Sequence, residues 1–222
     1  MAGLAAATAV AAVVSFLICG IPFGLIIAAR MSGIDVRKVG SGNIGMTNVA
    51  RSAGGKAALL TFACDVGKGV VCVLVGRWAI ATACLGGDLA SLAHDGPYSW
   101  VGSTLFCACV LGHVFSPYLH FHGGKGISVG LGASLALWWP LGLGLLAVFL
   151  LLVIPTRYIS LGSVGTAASL PVQAALWGFG VAGTIPITIV AAVVVWAHRE
   201  NIGRLLRGEE RRFSVGHDKD AK

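Results

Sequence analysis

The stretch ISVGLGASLALWWPLGLGLLAVFLLLVIPT, from Ile127 to Thr156, holds 30 residues without a charge, and only Arg157 separates it from 40 more between Tyr158 and Ala197. A soluble domain carries about 25% charged residues. This chain of 222 residues carries 11%, against 56% hydrophobic. It lacks the polar surface a globule in water needs, so it reads as an integral membrane protein. At about 20 residues per transmembrane helix, the length allows a single polytopic domain over residues 1–222. The 32 glycines follow no repeat and lie in apolar segments as well as loops, a composition that suits closely packed helices.

How the long uncharged stretch is divided decides the topology, and the charges around it decide the division. Positive residues mark the cytoplasmic side. Leu4 to Ala29 is uncharged, has no Lys or Arg before it and is followed by Arg30, Arg37 and Lys38. It reads as a retained first helix with its N-terminus outside, the reverse of a cleavable signal peptide. Residues 30–56 form a polar inside loop, and a second span runs from about Ala57 to Val75, interrupted by Asp65 and Lys68. Gly86 to Pro97 holds acidic residues and no Lys or Arg. That connection is outside, with Arg77 as a snorkelling exception at the helix end. Ser99 to Tyr118 then returns the chain to a basic inside loop, His120 to Lys125.

If residues 127–156 were one helix and 158–197 a hairpin, the tail with Arg199, Arg204, Arg207, Arg211, Arg212, Lys219 and Lys222 would finish outside. Two short helices of about 12 to 15 residues, broken near Trp138-Trp139-Pro140, restore the parity, because proline suits a break and tryptophan an interface. Gly178 to Gly183 supplies the last turn. The fold class expected is all-α integral membrane, with seven transmembrane helices, N-terminus outside, C-terminus cytoplasmic, and residues 213–222 as a flexible tail.

Every polar cluster with chemical potential falls on the inside face. The first loop reads Gly40-Ser41-Gly42-Asn43-Ile44-Gly45-Met46-Thr47-Asn48-Val49-Ala50-Arg51. Glycines let backbone N–H groups close round an anion, hydroxyls and amides add donors, and arginine offers a fork for phosphate. The second, His122-Gly123-Gly124-Lys125-Gly126-Ile127-Ser128, resembles a loop entering a helix N-terminus, a favourable place for an anion. The third, His198 to Arg207, puts His198 and Asn201 on one helical face, with Arg204 a turn further on. Singly, each has a plain alternative: a flexible loop, a positive-inside anchor, a juxtamembrane helix on anionic lipid.

Asp65 and Lys68, three residues apart within the membrane, can pair and face a polar interior. Ser160 and Ser163 beside Arg157 offer hydroxyls to the inside face. His120 and His122 read as interfacial, and the six cysteines read as small buried hydrophobes; no metal site is expected. Three anion-binding clusters on one membrane face point to a phosphorylated molecule whose other part is lipid.

These segments closely resemble the motifs of the bacterial acyl-phosphate:glycerol-3-phosphate acyltransferase family (PlsY-type). The matches are GSGNIGxTNxxR at Gly40 to Arg51, GHxF…LxFxGGKG at Gly112 to Gly126, and HxxNIxRLxxGxE at His198 to Glu210. Met46 stands where the family has a smaller residue, and Pro117 lies one position later than the family pattern. The resemblance implies a multi-pass enzyme of the bacterial inner membrane with its site facing the cytoplasm. It would transfer an acyl group from acyl phosphate to the 1-hydroxyl of glycerol 3-phosphate, giving 1-acylglycerol 3-phosphate and inorganic phosphate, without cofactor, acyl-CoA, acyl carrier protein or nucleic acid. His198, Asn201, Ser163 and Ser41 would be catalytic. Gly40, Gly42, Asn43, Thr47, Asn48, Arg51, Gly123, Gly124, Lys125, Gly126, Ser128 and Arg204 would bind substrate and phosphate. The rival is a transporter of an anionic phosphorylated solute, which calls for a midplane site and, commonly, an inverted repeat; the sequence presents one-sided clusters and no such repeat.

Overall fold

The computed structural model describes residues 1–213 as a helical bundle. Its α-helices are α1 (Ala2–Gly20), α2 (Phe23–Ser32), α3 (Met46–Ala53), α4 (Gly55–Cys84), α5 (Ser99–Val114), α6 (Ile127–Leu137), α7 (Trp139–Thr156), α8 (Ile159–Leu176), α9 (Val181–Ala197) and α10 (Arg199–Leu206). Five stretches are long and apolar enough to cross a bilayer: α1 with α2, α4, α5 with the turn after it, α7 and α8. A sixth results if α9 and α10, bent by 57°, count as one span. The tail expected from 213 onward lies outside the described residues except for Phe213, whose N–H donates to Arg157 O at 2.7 Å.

The break near Trp138 is present, with unequal halves: α6 has 11 residues and α7 has 18. Trp138 is extended and Pro140 sits in the first turn of α7, where proline's missing N–H costs nothing. So short a helix ends inside the protein, where the carbonyls of its last turn have no water. Arg77 answers that need. Its guanidinium donates to Ala136 O and Leu137 O, each at 3.1 Å, and to Leu92 O at 3.2 Å. It therefore turns into the bundle rather than snorkelling outward, because the carbonyls at the end of α6 offer it partners there. His94 stacks on Trp138 at 3.9 Å and lies 5.3 Å from Phe179. The end of α6, the connection after α4 and the turn before α9 thus share one end of the bundle.

The first segment also departs from a continuous helix. Pro22 divides α1 from α2, and the carbonyls freed there are taken by side chains from elsewhere in the chain: Ser116 Oγ donates to Gly20 O at 2.6 Å and Lys68 Nζ to Ile21 O at 3.0 Å. The second span is longer than expected, since Asp65 and Lys68 lie buried inside α4 without interrupting it. Glycines bring backbones together: a Cβ on Gly69 would meet the backbone of Val129 and Ala133, and one on Gly132 that of Val66. Four cysteines are buried, but Cys64 is half-buried and Cys84 exposed. The weakly polar thiol tolerates either setting.

Candidate active site

One cavity of about 520 Å³ opens among the clusters that the sequence places on one face. Its mouth is polar, lined by Ser41, Asn43, Thr47, Arg51, Lys125, Ser128, Ser160, Ser163, His198, Asn201 and Arg204. Its interior is apolar, walled by Phe62, Phe106, Leu131, Leu145, Phe149, Leu170 and Val190. First-turn residues of α3 (Met46, Thr47), α6 (Ile127, Ser128), α8 (Ile159, Ser160) and α10 (Asn201) all border it. Each helix N-terminus presents unpaired N–H groups and roughly half a positive charge, so the mouth favours an anion before any side chain is counted.

Side chains then link the mouth. Lys125 Nζ donates to Asn201 Oδ1. Asn201 Nδ2 donates to Glu210 Oε1 at 2.7 Å, and Arg204 Nε to Glu210 Oε2 at 2.7 Å. Burial pushes the Lys125 ammonium below the ordinary lysine range and Arg204 adds to this, while Glu210 and Glu200 oppose it. For Glu210 burial works upward, yet the hydrogen bonds from Asn201 and Arg204 hold its carboxyl below the usual range. His198 is 3% exposed, and its Nδ1 lies 2.8 Å from Val194 O. A carbonyl only accepts, so the geometry assigns the proton to Nδ1 and leaves Nε2 as an acceptor. The Ser163 hydroxyl donates to Ile159 O at 2.9 Å, leaving its oxygen free to accept.

Thirteen of the sixteen expected site residues border the cavity, and the departures are instructive. Gly123 and Gly124 do not line it: their N–H groups donate to Val114 O at 2.9 Å and His113 O at 3.0 Å, and cannot also cradle phosphate. They are glycines because a Cβ would collide with His113 O at Gly123 and with His113 Nε2 at Gly124. Gly42 also stands apart, its N–H closing a turn on Val39 O at 3.1 Å. Asn48 borders the cavity, but its side chain is taken up inside the loop. Its Nδ2 donates to Val36 O, Val39 O and Asn43 O at 2.9–3.0 Å, and its Oδ1 accepts from Ser41 N at 3.0 Å. It shapes the cradle and has no donor left for a ligand. Gly40, at φ +65° and pressed against Asn48 Oδ1, is required by the same fit.

Sequence reasoning passed over Glu210, although it closes the third motif, because a carboxylate is an unlikely neighbour for phosphate until its amide and guanidinium partners are seen. It also passed over the link between His113 and the Asp65–Lys68 pair. Among the described residues, one group of three potential metal ligands exists, Cys19, Cys72 and Cys109, with sulfurs within 4.8 Å of one another. These thiols are buried and do not border the cavity.

An anion-favouring mouth joined to an apolar interior, in a helical membrane protein, suits a ligand with an anionic head and an apolar part. The model of the family described as Glycerol-3-phosphate acyltransferase matches residues 9–208. A glycerol-3-phosphate acyltransferase of Trichlorobacter lovleyi is 42% identical over 202 residues, covering 90% of this chain and 95% of its own. One of Rubrobacter xylanophilus is 39% identical over 198 residues, covering 89% and 91%. Among solved structures, PlsY (YgiH), an integral membrane glycerol 3-phosphate acyltransferase, superposes in its glycerol 3-phosphate form with a TM-score of 0.80 at 34% identity, over 94% of this chain and 96% of that one. Its lysophosphatidic acid form gives 0.77 at 33%. The chain belongs to the glycerol-3-phosphate acyltransferase family and is an integral membrane acyltransferase of phospholipid synthesis.

Proposed function

We propose that the chain transfers a fatty acyl group from acyl phosphate to the 1-hydroxyl of glycerol 3-phosphate, releasing 1-acylglycerol 3-phosphate and inorganic phosphate. The observation that carries this reading is the continuity of a cationic, hydroxyl-lined mouth with an apolar interior in one cavity. The mouth suits two anionic heads and the interior an acyl chain. Glycerol 3-phosphate bound to the solved PlsY structure supports the same acceptor. Arg51, Lys125 and the N-termini of α3, α6 and α8 hold the phosphates. Acyl phosphate is already activated, so the remaining work is orientation and stabilisation of the oxyanion that forms as the hydroxyl attacks the acyl carbonyl. His198 Nε2 accepts from the attacking hydroxyl and, with Asn201, fixes its direction; Ser41 and Ser163 complete the polar wall. The hydroxyl proton passes to a substrate phosphate, whose second pKa near 6 suits it to that task. The C–O bond to phosphate then breaks and inorganic phosphate leaves.

Purified protein given glycerol 3-phosphate with acyl phosphate, acyl-CoA or acyl carrier protein thioester tests the donor. Lysophosphatidic acid and stoichiometric phosphate from the first alone are expected. Product from a thioester at an equal rate would overturn the donor assignment.

We read α6 as a seventh crossing, because its start borders the cavity mouth and its end meets Arg77 and Leu92 at the other end of the bundle. The excess of Lys and Arg at the mouth supports a cytoplasmic site in the inner membrane, with the N-terminus outside and the C-terminus inside. Single cysteines at Ala53, Ser128 and Arg211 in a variant otherwise without cysteine are expected to label from the cytoplasm, and one at Ser91 from outside. Outside labelling at Arg211 would sink that topology.

A further inference from the structure

A buried ionic cluster occupies the place where α1, α4 and α5 meet, and the reaction just described assigns it no task. Asp65 and Lys68 are 2% and 6% exposed and His113 is 4% exposed. Lys68 Nζ lies 2.8 Å from Asp65 Oδ1, 3.0 Å from Ile21 O and 3.1 Å from His113 Nδ1. An ammonium has three donors and no acceptor. Its hydrogen bonds go to Ile21 O and His113 Nδ1, with the Asp65 carboxylate beside it as the ion-pair partner, so Nδ1 of His113 must accept, and the neutral imidazole carries its proton on Nε2. Buried ion pairs are poor stabilisers compared with apolar residues of the same size, so stability alone is a weak reason for this cluster.

A better reason is what His113 touches. The turn that presents Lys125 lies on the end of α5, with Gly124 N–H on the His113 carbonyl at 3.0 Å and Gly124 itself packed on the imidazole. Asp65 and His113 also border the cavity that Lys125 borders. We propose that Asp65, Lys68 and His113 position the phosphate-binding turn: Asp65 and Ile21 O hold Lys68, Lys68 holds the plane and tautomer of His113, and the imidazole sets where Gly124, and hence Lys125, stands. The three are positioning residues that act through Lys125, and the inference rests on the phosphate-binding role proposed for that lysine.

The test is a double-mutant cycle. Asp65→Asn with Lys68→Leu removes both charges together, leaving no lone buried ion, and is made in the wild type and in Lys125→Ala. Monodispersity, Tm, kcat, KM for glycerol 3-phosphate and its Kd by calorimetry are measured for each purified protein. Coupled neighbours give interaction energies large enough for about a tenfold effect. The expected result is a KM and Kd raised about tenfold in the wild-type background with kcat within about threefold, and no further change in Lys125→Ala. His113→Asn, which keeps an acceptor near Nδ1 and loses Nε2, is a second route to the same split. Equal losses in both backgrounds, an unchanged KM in either variant, or a fall in kcat alone would overturn the proposal. A wild type that binds glycerol 3-phosphate without acylating it would instead defeat the functional reading and leave the calorimetric arm of the cycle intact.

Discussion

The two ends of α6 meet opposite fates. At Gly126–Ser128 its N–H groups open on the cavity, beside Lys125. At Ala136 and Leu137 its carbonyls are closed off by the guanidinium of Arg77, which comes from α4, 59 and 60 residues earlier in the chain. Both ends carry the same backbone debt, since any helix leaves four donors at one end and four acceptors at the other. The protein satisfies the closed end with its own side chain, and in the proposed function the open end is left to the substrate. Pro22 makes the same point at a smaller scale, where Lys68 and Ser116 take the carbonyls of a broken helix.

That contrast can be broken at either end. The largest effect is expected at the open end: Lys125→Ala should lower kcat/KM about a thousandfold, roughly 4 kcal/mol of transition-state stabilisation, while leaving Tm within a few degrees. Arg77→Leu should do the converse. It strands three carbonyls inside the bundle, and at about 1.5–3 kcal/mol for a hydrogen bond to a charged group, discounted for relaxation, it should remove about 3–5 kcal/mol of stability. The folded fraction should keep its KM. A variant of Arg77 that loses turnover but not stability would erase the distinction between the two ends.

Gly124→Ala probes the turn between them. Its Cβ would collide with His113 Nε2, so the turn must shift and carry Lys125 with it. We expect KM for glycerol 3-phosphate to rise about tenfold with a small change in kcat, the size of one displaced charge-assisted contact. A cradle built from the Gly124 N–H would respond differently, since alanine keeps that N–H.

The smallest effect is in the pH profile. Burial, reinforced by Arg204, holds Lys125 below the ordinary lysine range. The free enzyme then loses this proton at a lower pH than a solvated lysine near 10.4 would, and a bound phosphate favours the charged form. Binding above that pKa takes up a proton, so KM should climb with pH by up to about tenfold per unit. Lys125→Arg should flatten the climb, because a guanidinium stays charged. An identical climb in the arginine variant would assign the effect to another group.

By itself the sequence determined the membrane class, the breaks at Trp138 and before α9, the polar clusters that meet at one cavity, and the family motifs. These are local properties: uncharged length, charge bias and proline or glycine at a break can be read from neighbours along the chain. Tertiary structure decided the rest. It turned Arg77 inward, divided the first helix at Pro22, tied the Gly123 and Gly124 N–H groups and the Asn48 side chain to protein partners, and set Glu210 and His113 against the cavity. The physical reason is common to all of them. Each concerns which atom satisfies a buried donor or acceptor, and that partner is set by packing: Lys68 reaches Ile21 across 47 residues, Lys125 reaches Asn201 across 76, and Ser116 reaches Gly20 across 96. A motif names the residues that converge, whereas only the fold shows which of their polar atoms remain open to a substrate.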